Sequence, residues 1–259
     1  MRKTLTQALL AAFCAILARG TSAAHVEGGG VMQIASRVSM WSGARAPTAK
    51  DYVQSGLVAM WDGIENAGWG VHNPNATVWK DLIGNCDADT DPNLVYDNYM
   101  QEDGSNNMKA LTSADKIDFS RLTSVTFEAC FLNEKNKANY HMAIGANPDY
   151  FSIGYPTPGS TTLSWKLGTG GRPTVTGVHG TLAAVYNNGS AGMYFNGSAG
   201  QFTTSNRNWN NTLYLMWANP WRVARGEKRC YCFRLYSRAL TAEEIAHNYA
   251  IDKARFGLP

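Results

Sequence analysis

The sequence lacks, beyond its first residues, any apolar stretch approaching the roughly 18 residues that a transmembrane helix needs. Its one marked apolar run, residues 8–18, follows Arg2 and Lys3 and precedes small residues at positions 21–24. This order of charged, apolar and small residues is typical of a secretory signal. We therefore predict a signal at residues 1–24 and a secreted mature chain without membrane insertion, extracellular or at the cell surface, with the periplasm as an alternative.

Net charge is also lacking once the signal is removed. Arg2, Lys3 and Arg19 leave with the signal and no acid does, so the 23 basic residues fall by three and equal the 20 acidic ones. A surplus of basic residues would favour a nucleic acid or an anionic membrane as partner. The neutral mature chain predicts neither of them.

Metal-binding cysteine patterns are lacking too. Cys86, Cys130, Cys230 and Cys232 remain after the signal, without a Cys-x-x-Cys pair or histidines at ligand spacing, which excludes a zinc site. Four cysteines in an oxidising compartment permit two disulfides in three connectivities. In a regular strand Cys230 and Cys232 share one face, so a bond from this pair to Cys130 or Cys86 is favoured over a bond within it.

Short strand-like runs make up most of what is present. The 25 Gly, 9 Pro and 11% aromatic residues favour turn-rich β structure over a helical bundle. Asn188-Gly189 and Asn196-Gly197 are typical of tight hairpin turns. Strand-like runs recur at residues 57–61, 77–79, 125–132, 150–154, 162–167 and 182–186. These features predict an all-β fold, a two-sheet antiparallel sandwich.

The C-terminal residues predict one short helix. Thr241 and Glu244 form a capping box, and the apolar spacing that follows predicts a helix over residues 242–253. No composition change divides the chain after Asp51. We predict a single domain over residues 51–259, preceded by a leader or linker at residues 25–50.

The segment 231–245, Tyr-Cys-Phe-Arg-Leu-Tyr-Ser-Arg-Ala-Leu-Thr-Ala-Glu-Glu-Ile, resembles the closing signature of bacterial LamG-like modules in the concanavalin A-like lectin/glucanase superfamily. Three further stretches resemble the same family in the same order: 56–63 with 79–82, 125–128, and 183–186 followed by 193–197. Together with the closing signature, they extend the resemblance over about residues 51–258. The resemblance implies a jelly-roll sandwich. It also implies binding of a carbohydrate or a protein, with calcium at the sandwich rim in some members and glucanases among the related folds.

The acid pattern of the superfamily's glucanases is absent. Those enzymes place three acids on one strand in a Glu-x-Asp-x-(x)-Glu arrangement, because two carboxylates must face the same glycosidic bond. Glu128 is the only acid in the strand-like run 125–132, and Asp115 and Asp118 have no third acid beside them. Four of the five histidines are scattered without an evident nucleophile partner: His72, His141, His179 and His247. We predict that the protein is not an enzyme, and a glycoside hydrolase stays as the least favoured alternative.

Two sets of residues are candidates for a site. Asp87, Asp89 and Asp91 place carboxylates at alternate positions, as at the start of a calcium loop, but the sixth position is Pro92 and the twelfth is Asn98. A solvated acidic loop is the favoured interpretation and an irregular Ca²⁺ site the alternative; no other cofactor is predicted. The second set consists of tryptophans in turn-rich surroundings, whose rings could stack on a sugar: Trp69, Trp209, Trp217 and Trp221.

The predicted function is that of a secreted binding module. It recognises an extracellular glycan or a surface protein through loops at one edge of the sandwich. The alternative is a structural or assembly protein that binds no small ligand.

Overall fold

An antiparallel sheet of seven strands forms the largest part of the described structure. The computed structural model describes residues 45–89, 95–101, 111–112, 122–133, 151–155, 159–167, 170–206, 212–213 and 228–259, all within the unit Ala44–Pro259. The strands in these residues are β1 Leu57–Asp62, β2 Val78–Trp79, β3 Ala88–Asp89, β4 Met100–Gln101, β5 Leu111–Thr112, β6 Ser124–Asn133, β7 Phe151–Gly154, β8 Thr162–Leu167, β9 Thr174–Thr176, β10 His179–Asn187, β11 Ser190–Phe195, β12 Ser198–Thr204, β13 Thr212–Leu213 and β14 Lys228–Tyr236.

The main sheet has the order β1-β14-β6-β10-β11-β12, and β4 pairs with β14 beside that path. A second sheet has the order β7-β8-β9, and two short pairs, β13-β5 and β2-β3, complete the described strands. The pairs within both larger sheets are antiparallel. With the C-terminal helix described below, this arrangement confirms the predicted all-β antiparallel sandwich.

The core lies between the main sheet and β7-β8-β9. Side chains of β8 alternate between buried and partly buried, so Leu163, Trp165 and Leu167 point inward. The ring of Trp165 meets Phe127 of β6 edge to face at 6.5 Å. Burial of these large apolar groups is the main driving force for joining the two sheets.

The helix-facing side of the main sheet carries a second apolar layer. Helix α1 spans Ala242–Phe256 and packs Ile251 and Phe256 into a cluster with Met60, Cys130 and Cys232. Thr241 accepts a hydrogen bond from the Glu244 amide at 3.3 Å, and the Glu244 carboxylate accepts one from the Thr241 amide at 2.9 Å. The predicted helix start is confirmed, and α1 runs three residues beyond the predicted end.

The end of α1 is set by Gly257. This residue has φ 68°, a left-handed conformation that glycine adopts easily, and its amide donates to the Lys253 carbonyl at 3.0 Å. No helix in the described part of the chain is long and apolar enough to cross a bilayer.

A β-bulge in β14 corrects the expectation that Cys230 and Cys232 share one face. Cys230 pairs with Phe131 and Cys232 with Cys130, which leaves Tyr231 as an extra residue. Cys230 therefore belongs to the core between the sheets, whereas Cys232 belongs to the cluster under α1. The four cysteines described are buried free thiols.

The outer edge of β1 is covered by the loop at residues 80–87. The Asp81 carboxylate accepts the Met60 amide at 2.8 Å, and the Asn85 amide group donates to the Val58 carbonyl at 2.8 Å. Side chains thus replace a neighbouring strand, which protects the edge from pairing with another chain.

Part of the predicted leader contacts this domain. Thr48 and Asp51 form a capping box around a 3-10 helix, Ala49–Asp51, and Ala49 is fully buried. The predicted signal and the rest of the leader, residues 1–44, lie outside the described residues.

Candidate functional site

One end of the main sheet brings together two of the chain segments that present exposed aromatic side chains. At this end β1 finishes at Asp62 opposite Cys232, and β6 finishes at Asn133 opposite Lys228. Residues 63–77, here called the Trp69 loop, leave the sheet there. Every residue from position 69 to position 75 is exposed, and among them Trp69 exposes 37% and Val71 51% of its surface. Exposed apolar side chains placed together mark a contact surface.

The Trp69 loop is held in shape by its own polar groups. The fully buried Asn66 side chain donates to the Asn73 carbonyl at 2.9 Å and accepts the Asn73 amide at 2.8 Å. Glu65 accepts the Gly70 amide at 2.8 Å. Gly68 and Gly70, which flank Trp69, have φ values of 133° and 70°, and only glycine adopts these without strain. The loop therefore presents Trp69 at the tip of a fixed turn.

A buried ion group forms the base of the loop. Asp62 accepts the amides of Ile64 and Glu65 at 2.9 and 3.1 Å. One nitrogen of Arg255, which comes from the last turn of α1, lies 3.0 Å from Asp62 Oδ1 and 3.3 Å from Glu65 Oε1. Burial raises the pKa of Asp62 to about 6, although the Arg255 charge acts in the opposite direction.

Asp62 and Glu65 both contact one Arg255 nitrogen and are therefore as close as the paired carboxylates of a glycosidase. However, the side chain of Asp62 is 0% exposed, and the guanidinium lies between the two acids. A sugar cannot reach the buried carboxylate in this arrangement. Their role is to shape the loop.

Lys50 lies beside the tip of the loop. Its ammonium nitrogen is 5.4 Å from the centre of the Trp69 ring, within the range of a cation–π contact. This contact joins the 3-10 helix at Ala49–Asp51 to the Trp69 loop. An exposed indole next to an exposed ammonium can offer a stacking surface and a charge to one ligand.

A second aromatic group lies at the same end of the sheet. Tyr96 is 40% exposed and stacks on Tyr99 at 4.6 Å, and Tyr99 meets Tyr231 edge to face at 5.7 Å. The Arg229 guanidinium lies 5.1 Å from the Tyr99 ring centre. Sequence reasoning considered only tryptophans and missed these tyrosines. The Asp97-Asn98 pair between them is the same kind of turn-rich surrounding that pointed to Trp69.

The candidate calcium loop contains Asp87, Asp89 and Asp91, and the structure describes the carboxylate of Asp87. Asp87 binds the Lys80 ammonium at 2.5 Å and accepts the Asp81 amide at 3.0 Å, beside a shallow pocket of about 310 Å³. The Asp89 side chain and the whole of Asp91 lie outside the described residues. Among the residues that are described, no three His, Cys, Asp or Glu side chains form a group that could hold a metal. A cation at Asp87 would have to displace Lys80.

The other candidate tryptophans, Trp209, Trp217 and Trp221, lie outside the described residues. Of the predicted ligand-binding set, Trp69 is thus the member that the structure describes. Trp61, Trp79 and Trp165, which the sequence assigned to strands and core, are 1%, 0% and 0% exposed.

Glu128, the acid of strand β6, belongs to a buried cluster between α1 and the main sheet. This cluster is here called the helix-side ion network. Arg234 binds both oxygens of Asp252 at 2.7 Å and Glu128 at 2.8 Å, and all three side chains are 0% exposed. The network is completed by Tyr52, Thr181 and Asn248, which donate to these carboxylates at 2.7, 2.7 and 2.8 Å. Burial raises the pKa of Glu128 in spite of Arg234. Glu128 is therefore out of reach of a substrate.

No family model matches the chain, and no curated protein matches it. Solved structures do match. Sialidase of Trypanosoma rangeli in complex with 2,3-difluorosialic acid is 15% identical with a TM-score of 0.57, over 81% of this chain and 34% of the sialidase. The binding domain of botulinum neurotoxin DC in complex with rat synaptotagmin II is 12% identical with a TM-score of 0.54, over 76% of this chain and 52% of the toxin chain. At these identities the likeness shows the fold alone.

Proposed function

We propose that the protein is a secreted, non-catalytic binding module that recognises an extracellular glycan or a surface protein through the Trp69 loop. The observation that carries the proposal is Trp69 itself, 37% exposed at the tip of a turn held by Asn66, Glu65 and two glycines. A solvent-exposed indole on a fixed turn loses little freedom when a ligand stacks on it, which favours binding. Buried tryptophans of the same chain have no such role.

The comparisons support this proposal at a coarse level. One similar structure holds a sialic acid analogue and another holds a protein. This chain spans 34% of the sialidase, so the activity of that enzyme is not transferred to it. Membership of the LamG-like modules is part of the proposal, and it depends on the closing signature together with the antiparallel sandwich.

We propose that the protein is not an enzyme because its candidate acids are buried and bound by arginines. Glu128, the acid in the strand where glucanases carry theirs, is bound by Arg234 under α1. Asp62 is equally buried beneath Arg255. Both carboxylates have structural partners in place of a substrate.

The proposal is tested by screening the mature chain against a glycan array and, separately, against extracellular proteins in pull-downs. Trp69→Ala should lose binding by about tenfold or more, as central aromatic contacts do. Phe202→Ala is the matched control, because Phe202 is 50% exposed on β12, away from the loop. A wild-type chain that binds nothing, or equal binding by both variants, would contradict the proposal and favour a structural or assembly protein.

The same screen tests the calcium alternative. If Asp87, Asp89 and Asp91 hold Ca²⁺ that binding needs, chelation should weaken ligand binding and Asp87→Asn should do the same. The Lys80–Asp87 ion pair favours the other outcome, in which binding is unchanged by a chelator.

A further inference from the structure

We infer that the ligand of the Trp69 loop is an acidic glycan, whose sugar ring stacks on Trp69 and whose carboxylate or sulfate group is bound by Lys50. This inference rests on the proposed function and adds the chemical class of the ligand. It is argued from the charges around the indole.

The first observation is the position of Lys50. Its ammonium lies 5.4 Å from the centre of the Trp69 ring, and the residue is exposed. The ammonium lies over the ring, so a sugar that stacks on this face would displace the Lys50 side chain outward and meet its positive charge at the edge of the sugar. Among the described residues, no carboxylate lies within ion-pair distance of the Lys50 ammonium.

The second observation is that the neighbouring carboxylates are bound by groups other than Lys50. Asp51 forms a two-point contact with Arg45 at 2.6 and 2.8 Å, which lowers the pKa of Asp51 to about 2. Glu65 contacts Arg255 at 3.3 Å and accepts the Gly70 amide. Neither carboxylate forms an ion pair with Lys50.

The third observation is the composition of the exposed tip. Residues 69–75 read Trp-Gly-Val-His-Asn-Pro-Asn and contain no acid. An anionic polymer can approach this surface without like-charge repulsion from the tip. A sugar-binding site needs an apolar surface and polar partners. Trp69 supplies the surface, and Lys50 and Asn73 supply the polar partners.

The test measures binding of three polysaccharides to the mature chain. Hyaluronate carries carboxylates alone, dextran sulfate carries sulfates alone, and dextran is neutral, so the first two separate the sources of the charge. We expect binding to one or both acidic polymers and weaker binding to dextran. Added salt should weaken the acidic interaction, because exposed charges are screened.

Lys50→Gln should weaken binding of the acidic polymer by up to about fivefold, the upper end for an exposed ion pair, and Lys50→Arg should keep most of it. Lys253→Gln is the matched control, because Lys253 is an exposed lysine on α1. Tighter binding to dextran, or equal losses for Lys50→Gln and Lys253→Gln, would overturn the inference while leaving a Trp69-dependent binder. Binding that is unchanged in Trp69→Ala would instead overturn the proposed function.

Discussion

The helix-side ion network and the Trp69 loop both place a cation beside an aromatic ring, with opposite exposure. In the network, the Arg234 guanidinium lies 4.1 Å from the Tyr52 ring centre and binds two carboxylates, all out of contact with water. At the loop, Lys50 lies 5.4 Å from an indole that is 37% exposed. The first arrangement is saturated by the protein's own groups, whereas the second leaves its cation and ring to solvent.

We therefore expect the network to affect stability and the exposed pair to affect binding of the proposed ligand. Removing a member of the network leaves a buried charge without its partner, which is costly. Removing a member of the exposed pair leaves the fold nearly unchanged, since water replaces the lost contact. The mutations below should therefore change one property or the other.

The largest effect is expected for Arg234→Ala. It leaves Glu128 and Asp252 buried without a cation, and the free energy of unfolding should fall by about 3 to 5 kcal/mol in a urea titration. Arg238→Ala is the matched control, because Arg238 binds Glu244 in the same two-point way but both side chains are about 30% exposed. The control should lose about 1 kcal/mol or less. If the two variants lose equal stability, the network does not stabilise the fold as described.

If Arg234→Ala fails to fold, Arg234→Lys tests the same point. Lysine keeps the charge but cannot bind both oxygens of Asp252 at once, so an intermediate loss is expected.

The second effect concerns the base of the Trp69 loop and depends on pH. Because the pKa of Asp62 in the folded chain is about 6, the folded protein holds a proton that the unfolded chain releases near pH 4. The contribution of Asp62 to stability is therefore greatest at low pH and is lost as the pH rises from about 4 to about 6. The expected loss is up to about 3 kcal/mol.

Asp62→Asn should remove this part of the pH dependence. Unfolding midpoints in urea at pH 4.5 and pH 7.5 should differ less in the variant than in the wild type. A variant with the same pH dependence as the wild type would show that Asp62 does not titrate in this range.

A smaller effect is expected at the start of α1. Thr241→Ala removes one half of the capping box and should cost about 1 kcal/mol. Thr48→Ala removes the same kind of cap from a three-residue 3-10 helix and should cost less, since fewer residues depend on it. Equal losses in thermal unfolding would contradict this ranking.

The smallest change in stability is expected for Trp69→Ala. Trp69 is 37% exposed at a loop tip, so the free energy of unfolding should fall by less than about 1 kcal/mol. The same variant should lose ligand binding. A large loss of stability would show that Trp69 anchors the loop and would return it to a structural role.

The closing signature, residues 231–245, shows how much of the fold and the site the sequence could predict. Residues 231–245 span the end of β14 and the start of α1, and the predicted Thr241-Glu244 capping box is present. However, its other polar residues serve the fold: Arg234 belongs to the helix-side ion network and Arg238 pairs with Glu244. A family signature can mark a buried network as readily as a binding site.

Other features depend on contacts that sequence patterns do not contain. The bulge at Tyr231 moves Cys230 to the opposite face from Cys232, and strand alternation alone could not predict it. The base of the Trp69 loop needs Arg255, about 190 residues away along the chain. Trp69 itself was identified because glycines flank it, whereas Tyr96 and Tyr99 become a surface group only when the fold stacks them.

The most direct test of the account is the ligand-induced shift in melting temperature of the wild type, Trp69→Ala and Phe202→Ala, measured with hyaluronate, dextran sulfate and dextran. A ligand that binds the folded state raises the melting temperature by mass action. Without ligand we predict three melting temperatures within a few degrees of one another, and with an acidic polymer a rise that Trp69→Ala alone loses. A rise that persists in Trp69→Ala, or no rise in the wild type with any polymer, would contradict the account.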